Sequence, residues 1–144
     1  MTVEAIAEVL GGKKMTRRSI YKASDLVELT RHGLPADTLS ILADGLSIDR
    51  KKVAQILGIP VRTLSRRLGS HSRLSPVESD RTVRFARILA LASDTFGSME
   101  KASHWLQTPN RVLDGLTPFE LLDTDAGVQS VVTVLGRIAY GIYS

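Results

Sequence analysis

Asp49-Arg-Lys-Lys-Val-Ala-Gln-Ile-Leu-Gly-Ile-Pro-Val-Arg-Thr-Leu-Ser-Arg-Arg-Leu68 is two short amphipathic helices joined by a tight corner. The first spans Arg50–Leu57 and turns Val53, Ile56 and Leu57 inward, with small Ala54 where a second helix must cross closely. Gly58 takes the turn, where a positive φ is required. Ile59 plugs the corner, and Pro60 sets φ for the start of the second helix. Leu64 and Leu68, four residues apart, hold that helix to the core. The pattern predicts a helix-turn-helix. One position that is usually apolar carries Arg67, with Leu68 taking its role.

The outward residues of the second helix are then Arg62, Thr63, Ser65, Arg66 and Arg67. Arginine can bond guanine O6 and N7 in a bidentate pair, and hydroxyls can meet base edges or phosphates. Arg50, Lys51 and Lys52 stand at the front of the first helix, placed to hold a phosphate backbone. A helical hairpin with a solvated basic face shows the same pattern, and charge distribution weighs against it. Residues 50–87 hold 10 basic and 2 acidic side chains, whereas the flanks, 1–49 and 88–144, carry net charges of −1 and −3. A cationic centre between acidic ends points to a polyanion for the middle and a different partner for the ends.

Working outward, the other segments read as helix too. Thr2–Leu10 forms a helix stopped by Gly11-Gly12, and the basic stretch from Gly12 to Tyr21 reads as a linker. Ser24 caps a helix to Arg31 with Leu26 and Leu29 on one face. Pro35 begins another, with Leu39 and Leu42 inward, ending near Gly45. Ser75-Pro76-Val77-Glu78 is a capping box ahead of a long helix carrying Phe85, Ile88, Leu89 and Ala92. Ser98 caps a helix through Trp105 that ends before Pro109, and Thr117-Pro118-Phe119-Glu120 repeats the capping box. The last segment, Val128 to Ala139, has helical apolar spacing. The β-branched run at Val128–Val134 is the one place for a strand. The fold class is all-α. The expected organisation is an N-terminal helical region (1–45) that can serve dimerisation, a helix-turn-helix core (46–90) and a C-terminal domain (91–144).

The chain has no cysteine, which fits a reducing cytoplasm, and no apolar run near the roughly 20 residues a bilayer requires. Its N-terminus has no basic leader before Glu4. His32, His71 and His104 are scattered without ligand spacing, and no nucleophile elbow, phosphate loop or dinucleotide fingerprint occurs. Catalysis, metal binding and a bound cofactor are therefore not expected.

The block Leu74-Ser-Pro-Val-Glu-Ser-Asp-Arg81 resembles the start of the C-terminal domain of Xre/MbcA/ParS antitoxins. The tail resembles it as well: Trp105-Leu106, Pro109-Asn110, Leu113, Gly115, Pro118, Leu121-Leu122, Thr124, Gly127, Val131, Leu135, Arg137-Ile138 and Gly141. The resemblance covers about residues 44–144. Asp114 departs from it, since a second small residue is expected before Gly115. The resemblance implies a helix-turn-helix (Xre-like) core with a helical C-terminal toxin-binding domain. It implies a partner RES-domain toxin that degrades NAD, an active site occluded by this chain, and repression of the shared operon at its operator DNA. The NAD chemistry belongs to the toxin, so the chain itself has no cofactor.

Physical reading of the tail fits that implication. Trp105, Leu106 and Leu113 serve as core. Tyr140-Gly-Ile-Tyr-Ser144 puts two aromatics beside a terminal carboxylate. Tyrosine is favoured at interfaces because it joins apolar area to a polar tip. Arg137, Tyr140, Tyr143 and Ser144 are accordingly expected to plug the toxin cleft. Packing of both tyrosines on the chain's own helices is the competing placement. A homodimer is expected, because one helix-turn-helix reads only a half-site. Two other functions share these features: a stand-alone transcription regulator with a dimerising or ligand-sensing C-terminal domain, and a pure inhibitor with a vestigial helix-turn-helix.

Overall fold

The computed structural model describes residues 2–141. Among them it is all-helical: α1 (Val3–Val9), α2 (Gly12–Thr16), α3 (Ala23–His32), α4 (Asp37–Leu46), α5 (Arg50–Leu57), α6 (Val61–Ser70), α7 (Pro76–Phe96), α8 (Met99–Leu106) and α9 (Asp125–Ala139), with 3₁₀ turns at Arg111–Leu113 and Pro118–Leu121. The helix-turn-helix is α5 and α6. No described helix is long and apolar enough to cross a membrane. The chain divides into two compact units, residues 1–87 and 88–144, and α7 runs through the division.

The core of the first unit is aliphatic. Leu10, Leu29, Leu34, Leu46, Leu57 and Leu64 have almost no accessible surface, and Phe85 is buried with them. Burying a side chain of this size contributes roughly 1.5–3 kcal/mol. Four departures from the expected boundaries have local causes. The expected linker after Gly11 contains α2, with Thr16 and Ile20 buried, and the Thr16 hydroxyl donates to the Arg18 carbonyl at 3.0 Å. Helix α3 starts at Ala23 instead of being capped by Ser24. The Asp25 carboxylate accepts from the backbone N–H groups of Tyr21 (2.9 Å) and Lys22 (3.0 Å), satisfying donors that a cap at Ser24 would have left behind.

Pro35 does not begin α4, which starts at Asp37. The segment Leu34–Ala36 runs beside Ser72–Leu74 in a short clip. Leu74 N–H donates to the Leu34 carbonyl (2.8 Å) and Ala36 N–H to the Ser72 carbonyl (2.9 Å), with an isolated bridge at Pro35 and Arg73. Pairing with a distant segment thus overrides the helix-start preference of proline. The capping box at Thr117 is present, with Thr117 N–H on Glu120 at 2.7 Å, but it closes the 3₁₀ turn Pro118–Leu121 and does not open an α-helix.

The second unit buries Ala102, Leu106, Leu113, Phe119, Leu122, Val131 and Leu135, and Trp105 stacks at a tilt on Phe96 with centroids 5.4 Å apart. The β-branched run at Val128–Val134 is helical, within α9. A Thr124 side chain caps that helix by accepting from Gly127 N–H at 3.0 Å. Gly127 is where the chain comes closest: a Cβ there would run into the carbonyl oxygen of Leu121, so α9 rests directly on the 3₁₀ turn backbone. Asp114 sits at φ 59°, a left-handed conformation that aspartate tolerates better than most residues. Gly115 N–H donates to the Asn110 carbonyl at 2.9 Å, so the turn closes despite the absent small residue.

Candidate nucleic-acid interface

Helix α5 begins with a cap: the Asp49 carboxylate accepts from Lys52 N–H at 2.9 Å. That cap fixes the direction in which Arg50, Lys51 and Lys52 leave the helix, and all three are exposed. Val53, Ala54, Ile56 and Leu57 are buried as their spacing requires. Gly58 ends the helix at φ 67°, and Ile59 N–H donates back to the Ala54 carbonyl at 3.1 Å, closing the corner. Pro60 is the residue before α6 and Val61 the first within it. Leu64 is fully buried and Leu68 nearly so.

The outward side of α6 carries Arg62 and Arg66, both exposed, one turn apart, with Thr63 and Ser65 half-buried beside them. The Arg50 guanidinium reaches Ser65 Oγ at 3.4 Å, which brings the cationic start of α5 onto the same face as the middle of α6. Five exposed cations, Arg50, Lys51, Lys52, Arg62 and Arg66, thus belong to two adjoining helices. Such a face can neutralise phosphates and present guanidinium forks to base edges.

Arg67 is placed differently from the other sequence-derived candidates. Its guanidinium turns back on the protein, 3.2 Å from the Glu78 carboxylate and 3.4 Å from the Arg73 carbonyl oxygen. Glu78 is buried and already closes the capping box of α7. It accepts from Ser75 N–H at 2.8 Å, and its own N–H donates to Ser75 Oγ at 3.1 Å. A carboxylate at that depth is costly to bury without a partner, and Arg67 supplies one.

Sequence reasoning missed Arg81. Its guanidinium donates to the carbonyl oxygen of Leu57, the last residue of α5, and it fills the space that a Cβ at Gly58 would need. The last carbonyls of a helix lack partners within it, so a donor from elsewhere was to be expected there. Nothing in the sequence near Leu57 says which residue supplies it. Ser79, two residues before Arg81, accepts from Leu34 N–H at 2.9 Å through its buried hydroxyl. The first two turns of α7 therefore brace both the helix-turn-helix corner and the clip at Leu34.

Of the residues expected to meet a protein partner, Tyr140 follows α9 and is 86% exposed, and Arg137 is exposed in the last turn of that helix. Tyr143 and Ser144 lie outside the described residues. Among the described residues there is no grouping of histidine and acidic side chains able to hold a metal ion.

Comparison with known proteins gives both units an identity. Residues 25–87 match the antitoxin Xre-like helix-turn-helix domain, and residues 91–141 match the antitoxin Xre/MbcA/ParS C-terminal toxin-binding domain. An Antitoxin Xre of Yersinia enterocolitica is 34% identical over 120 residues, covering 83% of this chain and 81% of its own. A Prs ADP-ribosylating antitoxin of a Sphingobium species is 26% identical over 149 residues, covering 96% and 94%. The fold is similar to a chain in the crystal structure of the M.tuberculosis MbcT-MbcA toxin-antitoxin complex. That match has a TM-score of 0.56 at 23% identity, over 76% of this chain and 96% of the other. With a helix-turn-helix followed by a toxin-binding domain, and with relatives of that name along most of its length, the chain belongs to the Xre family of antitoxins.

Proposed function

We propose that the chain neutralises a RES-type, NAD-degrading toxin by binding it through residues 91–144 and occluding its active site, and that it represses its own operon through α5 and α6. The observation that carries the first half is the match of residues 91–141 to a toxin-binding domain. The Sphingobium relative is named a Prs ADP-ribosylating antitoxin, and ADP-ribosylation consumes NAD, so that name supports a system with NAD chemistry in it. The second half rests on the five exposed cations that α5 and α6 share, with Arg50 against Ser65. The DNA contacts proposed are Arg50, Lys51, Lys52, Arg62, Thr63, Ser65 and Arg66, with Arg67 holding the helix from behind. The chain acts by binding and performs no chemistry of its own. It works as a homodimer in the cytoplasm, so that two copies of α6 meet the two halves of a symmetric operator.

Co-expression with the product of the adjacent gene tests the toxin half. The two proteins should copurify, and cellular NAD should fall when the toxin is expressed alone and stay at its normal level when both are present. Deleting residues 140–144 should restore NAD loss while DNA binding persists. Full protection by the shortened chain would remove the terminal plug of Arg137, Tyr140, Tyr143 and Ser144 from the proposal. Gel-shift titration against the chain's own upstream DNA tests the repressor half. A chain that protects against the toxin but binds that DNA no better than random duplex would be a pure inhibitor.

A further inference from the structure

Val61 opens α6 and is 42% exposed. It lies at the N-terminal end of the stripe that Leu64 and Leu68 bury, three and seven residues on, so part of its surface is covered and the rest is open. The other exposed residues of the helix are Arg62, Arg66, Gly69 and Ser70, so Val61 is the one large apolar side chain that α6 leaves exposed. Ser65 lies one turn beyond Val61 on the same stripe, and Arg50 reaches that hydroxyl. Arg62 and Arg66 form the adjacent stripe. Valine therefore stands at the leading end of the helix, where its buried stripe meets the stripe of Ser65.

In a helix-turn-helix the N-terminal residues of the second helix approach base edges in the major groove. Only one base edge there presents an apolar group: thymine, through its C5-methyl. Phosphates offer valine nothing, and an apolar protein partner would leave Arg62 and Arg66 unanswered. A β-branched side chain also has few rotamers to lose on contact. We infer that Val61 is a specificity-determining residue that packs on the methyl group of a thymine, next to a guanine bonded by Arg62 or Arg66. The inference rests on the reading of α5 and α6 as an operator-binding pair, and it names what that pair selects.

The test starts by enriching duplexes with a randomised core on the full-length protein. The selected duplex is then resynthesised with deoxyuridine at each thymine in turn, which removes the methyl and nothing else. One thymine per half-site should lose about four-fold in affinity on that change, the worth of roughly one buried methyl group. Val61→Ala should bind the thymine duplex about four-fold more weakly and should no longer distinguish thymine from uracil there. Alanine favours the helix, so the variant keeps α6. Equal binding of wild-type protein to every uracil duplex overturns the inference, and so does a Val61→Ala protein that retains the thymine preference. A pool that never enriches removes the operator reading itself, and Val61 with it, which is a different result from enrichment without methyl sensitivity.

Discussion

Arg66 and Arg67 are adjacent in the chain and serve opposite purposes. Arg66 faces outward from α6, whereas Arg67 ties α6 to the buried Glu78. Replacing each by alanine should separate the two roles. Arg66→Ala should leave the denaturant midpoint within about 0.5 kcal/mol of wild type, as for most exposed positions, while weakening DNA binding and sparing toxin binding. Arg67→Ala should cost about 1–2 kcal/mol, less than a fully buried pair because its side chain keeps some solvent contact. Urea titration of both variants checks this, and equal destabilisation would mean that Arg66 too is structural. Asp25 gives a second prediction at this scale. Two backbone N–H bonds, from Tyr21 and Lys22, hold its carboxyl below the usual value of 3.8. Its folded form therefore releases its proton more readily than its unfolded form. The stabilisation is complete above the ordinary carboxylate range and fades as pH falls through the lowered value. Asp25→Ala should lower Tm at neutral pH and flatten the fall in Tm on acidification below about pH 4.

At the scale of elements, α9 and the 3₁₀ turn Pro118–Leu121 touch backbone to backbone at Gly127. Gly127→Ala should destabilise the second unit by about 3 kcal/mol, the upper end of over-packing penalties, because the obstructing atom is a carbonyl and not a side chain able to swing away. Loss of toxin binding with retained DNA binding, read by pull-down and gel shift, is the expected pattern. A variant that binds toxin normally would show that the turn yields. The corner between α5 and α6 is held by a close contact as well. Gly58 at φ 67° leaves room for the Arg81 guanidinium, which holds the Leu57 carbonyl. Orientation of the outward residues of α6 therefore depends on a side chain from α7.

Across the whole molecule, the charge distribution sets the proposed DNA binding apart from toxin binding. DNA affinity should fall steeply with salt, by about 0.9 log units per tenfold salt for each phosphate neutralised. Lys51→Ala should lower that slope by about this amount per half-site and leave toxin affinity at fixed salt unchanged. An unaltered slope would place Lys51 away from the phosphates. Combining Arg66→Ala with removal of residues 140–144 should lose DNA binding and toxin binding each by as much as the single change does, because the two assays read different partners.

Much of this architecture was decided by short-range order along the chain. The helical periodicity of Val53, Ile56, Leu57, Leu64 and Leu68, the turn at Gly58 and the caps at Asp49, Ser75 and Ser98 involve residues within a few positions of one another. Hydrogen bonds and side-chain periodicity at that range do not depend on what lies elsewhere, so most of the helices and the helix-turn-helix are legible from residue order, though not α2. The inward turn of Arg67, the brace from Arg81, the clip that displaced the start of α4 and the contact beneath Gly127 were settled only by folding. Each joins groups distant in sequence or in different elements, and each meets a demand, such as an unpaired carbonyl or a buried carboxylate, that arises only once the helices have packed.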